Sequence, residues 1–168
     1  MTKTLKRIIP ALLTVVVSTL LGACNTSGCT DNQNSLPLAG FYSYRTLGAI
    51  TVDSLDIGGI GAPGDSLLYQ AGTPLTEAYL PFRSRETETA FFIEYRQSAL
   101  RGLRDTISFT YTSEPYFAGE ECGAMLRYRI WRMTYTKNLI DSVGIVDSLI
   151  TNLPVQQIHI YFPTAEEE

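Results

Sequence analysis

Strict two-residue alternation of apolar and polar side chains is the feature that most restricts how this chain can fold. Between Thr106 and Thr112, Ile107, Phe109 and Tyr111 alternate with serine and threonine. Successive side chains of a strand point to opposite faces, so such a run places one face on a core and the other in water. Ile158, Ile160 and Phe162 repeat the pattern near the C-terminus, with Gln157, His159 and Tyr161 opposite them. Phe91, Ile93 and Tyr95 form a third set. Weaker strands are predicted near Phe41–Arg45, Ser66–Gln70, Ala78–Phe82 and Ser142–Val146. No segment sustains an amphipathic helix of a dozen residues.

Two segments alternate with a slip. Ile50 and Val52 are in phase, whereas Leu55 and Ile57 take the other phase. Leu126, Tyr128 and Ile130 likewise give way to Trp131, Met133 and Tyr135. A slip of one residue exchanges the faces of a strand, so a β-bulge or a crossing between sheets is expected at each place. Eight or nine short strands separated by Gly and Pro turns predict an all-β domain. The expected form is an antiparallel β-sandwich, immunoglobulin-like in the broad sense, with a small β-barrel as the competing architecture.

The pairs Asp53-Ser54, Asp65-Ser66, Asp105-Thr106, Asp141-Ser142 and Asp147-Ser148 each precede an apolar residue. Asp, Ser and Thr favour turns by bonding nearby backbone, so these pairs predict the starts of strands. Their irregular spacing does not fit a calcium-binding array. Gly59-Ile60-Gly61-Ala62-Pro63-Gly64 has the form of a dinucleotide-binding loop. That chemistry needs a helix to follow, with its amides facing the pyrophosphate. Ser66–Gln70 reads as a strand instead, so a hairpin loop is expected. The one histidine, His159, falls on an outward strand face, with no second histidine and no zinc-spaced cysteine pair. Nothing in the sequence calls for a metal, a cofactor or a catalytic residue. Tyr42, Tyr44, Tyr79 and Tyr116 lie outside the clearest alternating runs and are the candidates for an exposed aromatic patch.

The N-terminus has a different character. Lys3, Lys6 and Arg7 precede an apolar run, Ile8 to Leu21, and then Leu21-Gly22-Ala23-Cys24. Those 14 residues are too short to cross a bilayer, which takes about 20, and they have the layout of a signal peptide. Leu21 at the third position before the cut, with a cysteine just after it, resembles the bacterial lipobox. That resemblance implies residues 1–23 as a lipoprotein signal peptide and a diacylglycerol thioether on Cys24. Residues 24–35 then read as a lipidated polar tether, 36–163 as the β domain and 164–168 as an acidic tail. Residues 24–168 carry 10 basic and 17 acidic residues, net -7, which argues against nucleic acid and anionic headgroups as partners. Nine of those basic residues are arginine, eight of them between Arg83 and Arg132. They make either an anion-binding face or ion pairs with Glu86, Glu88, Glu94 and Asp105. Ion pairing is the expected arrangement. With Cys24 lipidated, Cys29 and Cys122 remain, and an oxidising envelope favours a disulfide between them.

The lipobox, Cys29 soon after it, glycine-rich Ile57–Gly64, Leu80-Pro81-Phe82 and Cys122-Gly123 before a long strand together resemble a family of small Bacteroidetes-type lipoproteins with a domain of unknown function. The resemblance covers most of the chain after residue 23 and brings no catalytic residue with it. It implies an envelope protein beside an outer-membrane barrel protein. Asn25 is not the aspartate that holds lipoproteins at the inner membrane, and Thr26–Gly28 lack an acidic surface-export run. The expected location is the periplasmic leaflet of the outer membrane. The expected role is a non-enzymatic module that binds a protein partner. The alternative is a glycan-binding or glycan-processing domain, motivated by the tyrosines and acids.

Overall fold

A computed structural model describes residues 35–97, 100, 102–119 and 123–164. Ten strands run in order: β1 (Leu38–Ser43), β2 (Leu55–Gly59), β3 (Leu67–Tyr69), β4 (Glu77–Tyr79), β5 (Glu88–Tyr95), β6 (Arg104–Gly119), β7 (Gly123–Tyr135), β8 (Ser142–Ile145), β9 (Leu149–Ile150) and β10 (Gln156–Phe162). The one other regular element among the described residues is a 3-10 turn, Pro63–Asp65. The strands form a four-stranded sheet, β4-β1-β10-β8, and a six-stranded sheet, β3-β2-β5-β6-β7-β9. The domain is therefore all-β, as the alternation predicts. One pairing departs from the antiparallel expectation, because β1 and β10 run parallel.

The inner faces of the two sheets meet in one core. Ala39, Phe41, Val143, Ile158, Ile160 and Phe162 come from the smaller sheet. Leu55, Ile57, Phe91, Ile93, Ile107, Phe109, Tyr111, Tyr128 and Ile130 come from the larger. All three predicted alternating sets point inward, as face-to-face packing of sheets requires. Tyr111 is buried with its hydroxyl fully used. It donates to the Arg83 carbonyl at 2.8 Å and pairs with the Thr89 hydroxyl at 2.7 Å, while the Arg83 amide donates to that same threonine at 3.1 Å. The circuit ties the segment after Phe82 to the sheet, and Phe82 stacks on the Tyr111 ring at 4.3 Å.

The two slips have different causes. Opposite β7 the register jumps, so that Thr110 faces Arg132 while Tyr111 faces Ile130. Trp131 is the extra residue of a bulge. It turns Met133 and Tyr135 back toward the core after Ile130, so the phase change in sequence keeps one face inward in space. The other slip is the passage between sheets. Ala49 and Val52 make isolated bridges to Tyr42 and Leu75, and β2 starts only at Leu55, in the larger sheet. Four of the five Asp-Ser or Asp-Thr pairs stand at the starts of β2, β3, β8 and β9. The fifth, Asp105-Thr106, lies one residue inside β6.

Gln157 corrects the simple outward assignment of its face, for it is buried. The β1–β10 register breaks there, and the Leu38 amide donates to the Gln157 side-chain oxygen at 2.9 Å. A side chain completes the ladder where the backbone bulges away.

Candidate functional site

The outer face of the larger sheet sorts the arginines into two groups. Asp56 on β2 stands directly opposite Glu94 on β5, a cross-strand pair of like charges that is unfavourable alone. Arg104 donates to Glu94 through Nε at 3.1 Å and Nη2 at 2.6 Å. Arg96 bridges the two acids, bonding Glu94 at 2.9 Å and Asp56 through its Nε. The Arg104 guanidinium also lies 4.2 Å from the centroid of Phe92, whose ring covers Gly58. A Cβ at Gly58 would stand 2.6 Å from that ring, so only glycine leaves the room. Arg127 pairs with Glu114 at 3.1 Å across β6 and β7. Ion pairing is thus the role of these three arginines, and Asp56 and Glu114 are partners that sequence reasoning missed.

Asp105 is a correction. It is fully buried and meets no arginine. Instead it accepts the amides of Asn138 at 2.8 Å, Leu139 at 2.6 Å and Ile140 at 2.8 Å, and the Thr136 hydroxyl at 2.5 Å. It anchors the β7–β8 connection.

The second group differs. Arg129 and Arg132 are exposed on the outer face of β7 and form no ion pair among the described residues. Between them the bulge sets Trp131, 70% exposed. A solvated tryptophan flanked by two unpaired arginines is the composition of an interface hot spot. Beyond the core, β6 and β7 continue as a two-stranded hairpin to Gly119 and Gly123, with Phe117 at 69% exposure near its end. Tyr116 braces this hairpin by bonding Asn152 at 3.0 Å, and Arg127 lies 5.8 Å from its ring centroid.

The four tyrosines picked out from the sequence do not converge. Tyr44 is exposed and Tyr116 serves the hairpin. Tyr42 is half-buried and bonds Gln156 at 2.6 Å, while its ring lies 4.1 Å from His159. His159 does lie on the outer face. Partial burial lowers its pKa, and Tyr161 is 3.4 Å from its Nδ1. Gly59–Gly64 is a turn between the antiparallel strands β2 and β3, closed by Arg83 on the Ile60 carbonyl at 2.5 Å, with no helix to face a phosphate. No cluster of three potential metal ligands occurs among the described residues. Cys24, Cys29 and Cys122 lie outside the described residues, as do residues 165–168 of the acidic tail. Gly123, beside Cys122, stands at the end of the hairpin. No helix among the described residues is long and apolar enough to cross a membrane.

A family model described as a family of unknown function, DUF6452, matches residues 54–162. The chain belongs to the DUF6452 family. The DUF6452 match runs from the residue before β2 to the last residue of β10, so it contains the whole larger sheet, the hairpin and Trp131. It leaves out β1. The expected domain of unknown function agrees with this match. No curated protein and no solved structure matches the chain.

Proposed function

We propose that this DUF6452 protein is a lipid-anchored envelope protein whose β domain is a non-enzymatic module for binding a protein partner. The observation that carries the reading is Trp131, held out by a bulge between Arg129 and Arg132. A chain with net charge -4 places two arginines around its one tryptophan without giving them carboxylate partners among the described residues. An acidic patch on the partner would meet both guanidinium groups while the indole is buried. The bulge that returns Met133 and Tyr135 to the core also fixes the position of the indole. Membrane attachment, proposed at the periplasmic leaflet of the outer membrane, comes from the lipobox ending at Cys24, and an outer-membrane barrel protein is the proposed neighbour.

Two measurements test the two halves. Labelled fatty acid should enter the protein and be lost in Cys24→Ala; labelling that persists in that variant rejects the anchor. The full-length protein, purified from its own membrane, should bring a partner with it. Trp131→Ala and the Arg129→Glu, Arg132→Glu double variant should lose that partner with the thermal midpoint unchanged. Recovery of the same proteins by all three forms rejects the Trp131 surface.

A further inference from the structure

A cleft of about 470 Å³ opens at the end of the sandwich where β10 finishes. Its walls come from the crossing segment Ile50–Asp53, the end of β5 with Gln97 and Leu100 beyond it, the β7–β8 connection and the residues after β10. We propose that this cleft binds a small organic molecule with an apolar body and an uncharged or cationic polar end.

The volume lies in the range of about 300–1,000 Å³ that small-molecule sites occupy. Ile50, Val52 and Leu100 supply apolar surface, and the buried Leu139 and Phe162 lie beneath it. Tyr95, half-buried, adds a hydroxyl that makes no hydrogen bond among the described residues. Burial first, and the nearby Asp105 charge second, push its pKa up to about 12, so the phenol stays a neutral donor. Thr51 and Gln97 contribute further polar groups. Asp53 is the one charged residue among the described residues that line the cleft. An anionic ligand would meet the Asp53 carboxylate, whereas a cation or a neutral donor would find a partner in it.

Three of these walls are held by hydrogen bonds without a ligand. Asp105 holds the Asn138 and Leu139 amides. The Ile50 amide donates to Phe41, and Val52 exchanges two backbone bonds with Leu75, each at 2.9 Å. Thr164 bonds Ser43 at 2.8 Å. A preformed site spares the ligand the cost of ordering loops.

Three probes of one skeleton separate the requirements: phenethylamine, 2-phenylethanol and phenylacetate. The full-length protein in detergent micelles, labelled at Ile, Leu and Val methyls, is titrated with each by NMR. The Ile50, Val52 and Leu139 methyl signals should shift saturably with the amine and the alcohol. Phenylacetate should bind about tenfold more weakly. Tyr95→Phe should weaken the alcohol roughly fivefold, the worth of one hydrogen bond. Thr51→Trp alters an exposed rim residue and should fill the cleft, abolishing the shifts while partition into the micelle stays the same. Shifts that persist in Thr51→Trp, shifts that never saturate, or phenylacetate binding as tightly as the amine would each overturn the proposal.

Discussion

Asp105 shows how one buried carboxylate can organise a connection. It accepts three consecutive backbone amides, Asn138 to Ile140, in a place from which water is excluded. Removing the acceptor leaves those donors unpaired, and an unpaired buried donor costs more than a hydrogen bond normally contributes. Asp105→Ala should therefore lower stability by about 3–5 kcal/mol in urea unfolding. A loss under about 1 kcal/mol would show that the connection is held by other means. Tyr95 permits a prediction with a definite sign. Its pKa rises from 10.0 to about 12 on folding, chiefly through burial. The folded state thus favours the protonated phenol. That preference contributes its full stability below about pH 10 and is lost as the pH rises toward about 12. After allowance for partial solvent screening, the effect is on the order of 2 kcal/mol. Wild-type stability should fall across this window more steeply than that of Tyr95→Phe; parallel curves would contradict the burial of the hydroxyl. Tyr111 and Tyr128 are raised by burial too, so the difference between the two proteins is the quantity to measure.

At the scale of strands, the bulge in β7 invites a deletion. Without Trp131, Ile130, Met133 and Tyr135 fall into unbroken alternation, and the same side chains still face the core. Deleting Trp131 should therefore leave a folded protein, with a stability change within about 1 kcal/mol by thermal or chemical unfolding. Deleting Phe109, inside the buried run, should abolish cooperative unfolding, because a one-residue slip sends Ile107 and Tyr111 to opposite faces. The alternating runs that became β5, β6 and β10 were legible because each buries one face and wets the other. The two slips were legible as interruptions, but sequence could not tell a bulge from a passage between sheets. That choice depends on which strand lies alongside. β9 was illegible because two residues carry no period. The extra length of β6 was hidden because Ser113–Gly119 leaves the core, and alternation weakens where there is no interior to enforce it. Trp131 was visible as a residue on the wrong phase, but its exposure follows only from the register of β6. The cleft was illegible altogether, since its walls come from four separate parts of the chain.

For the whole molecule, direction matters. Leu38 pairs with Gln156, and Asn152, four residues earlier, holds Tyr116 of the hairpin. Ser35 and the hairpin therefore share one end of the sandwich, while the cleft and Thr164 occupy the other. Cys29 precedes Ser35 by six residues, a reach of about 20 Å when extended, and Cys122 adjoins the hairpin residue Gly123. We propose that these cysteines are bonded and secure the hairpin end toward the membrane. Unfolded, unreduced protein should then titrate no free thiol; two thiols would rule the bond out. The parallel pairing of β1 with β10 carries a mechanical consequence. These neighbouring strands lie at the centre of their sheet, and the chain enters at one end of the pair and leaves at the other. Tension between a fixed N-terminus and a load at the far end would act along the strands, so the ladder bonds must shear together instead of peeling open one at a time. Pulled between residues 35 and 164 by optical tweezers, the domain should resist far higher force than when pulled between Gly119 and Gly123, where the hairpin can unzip.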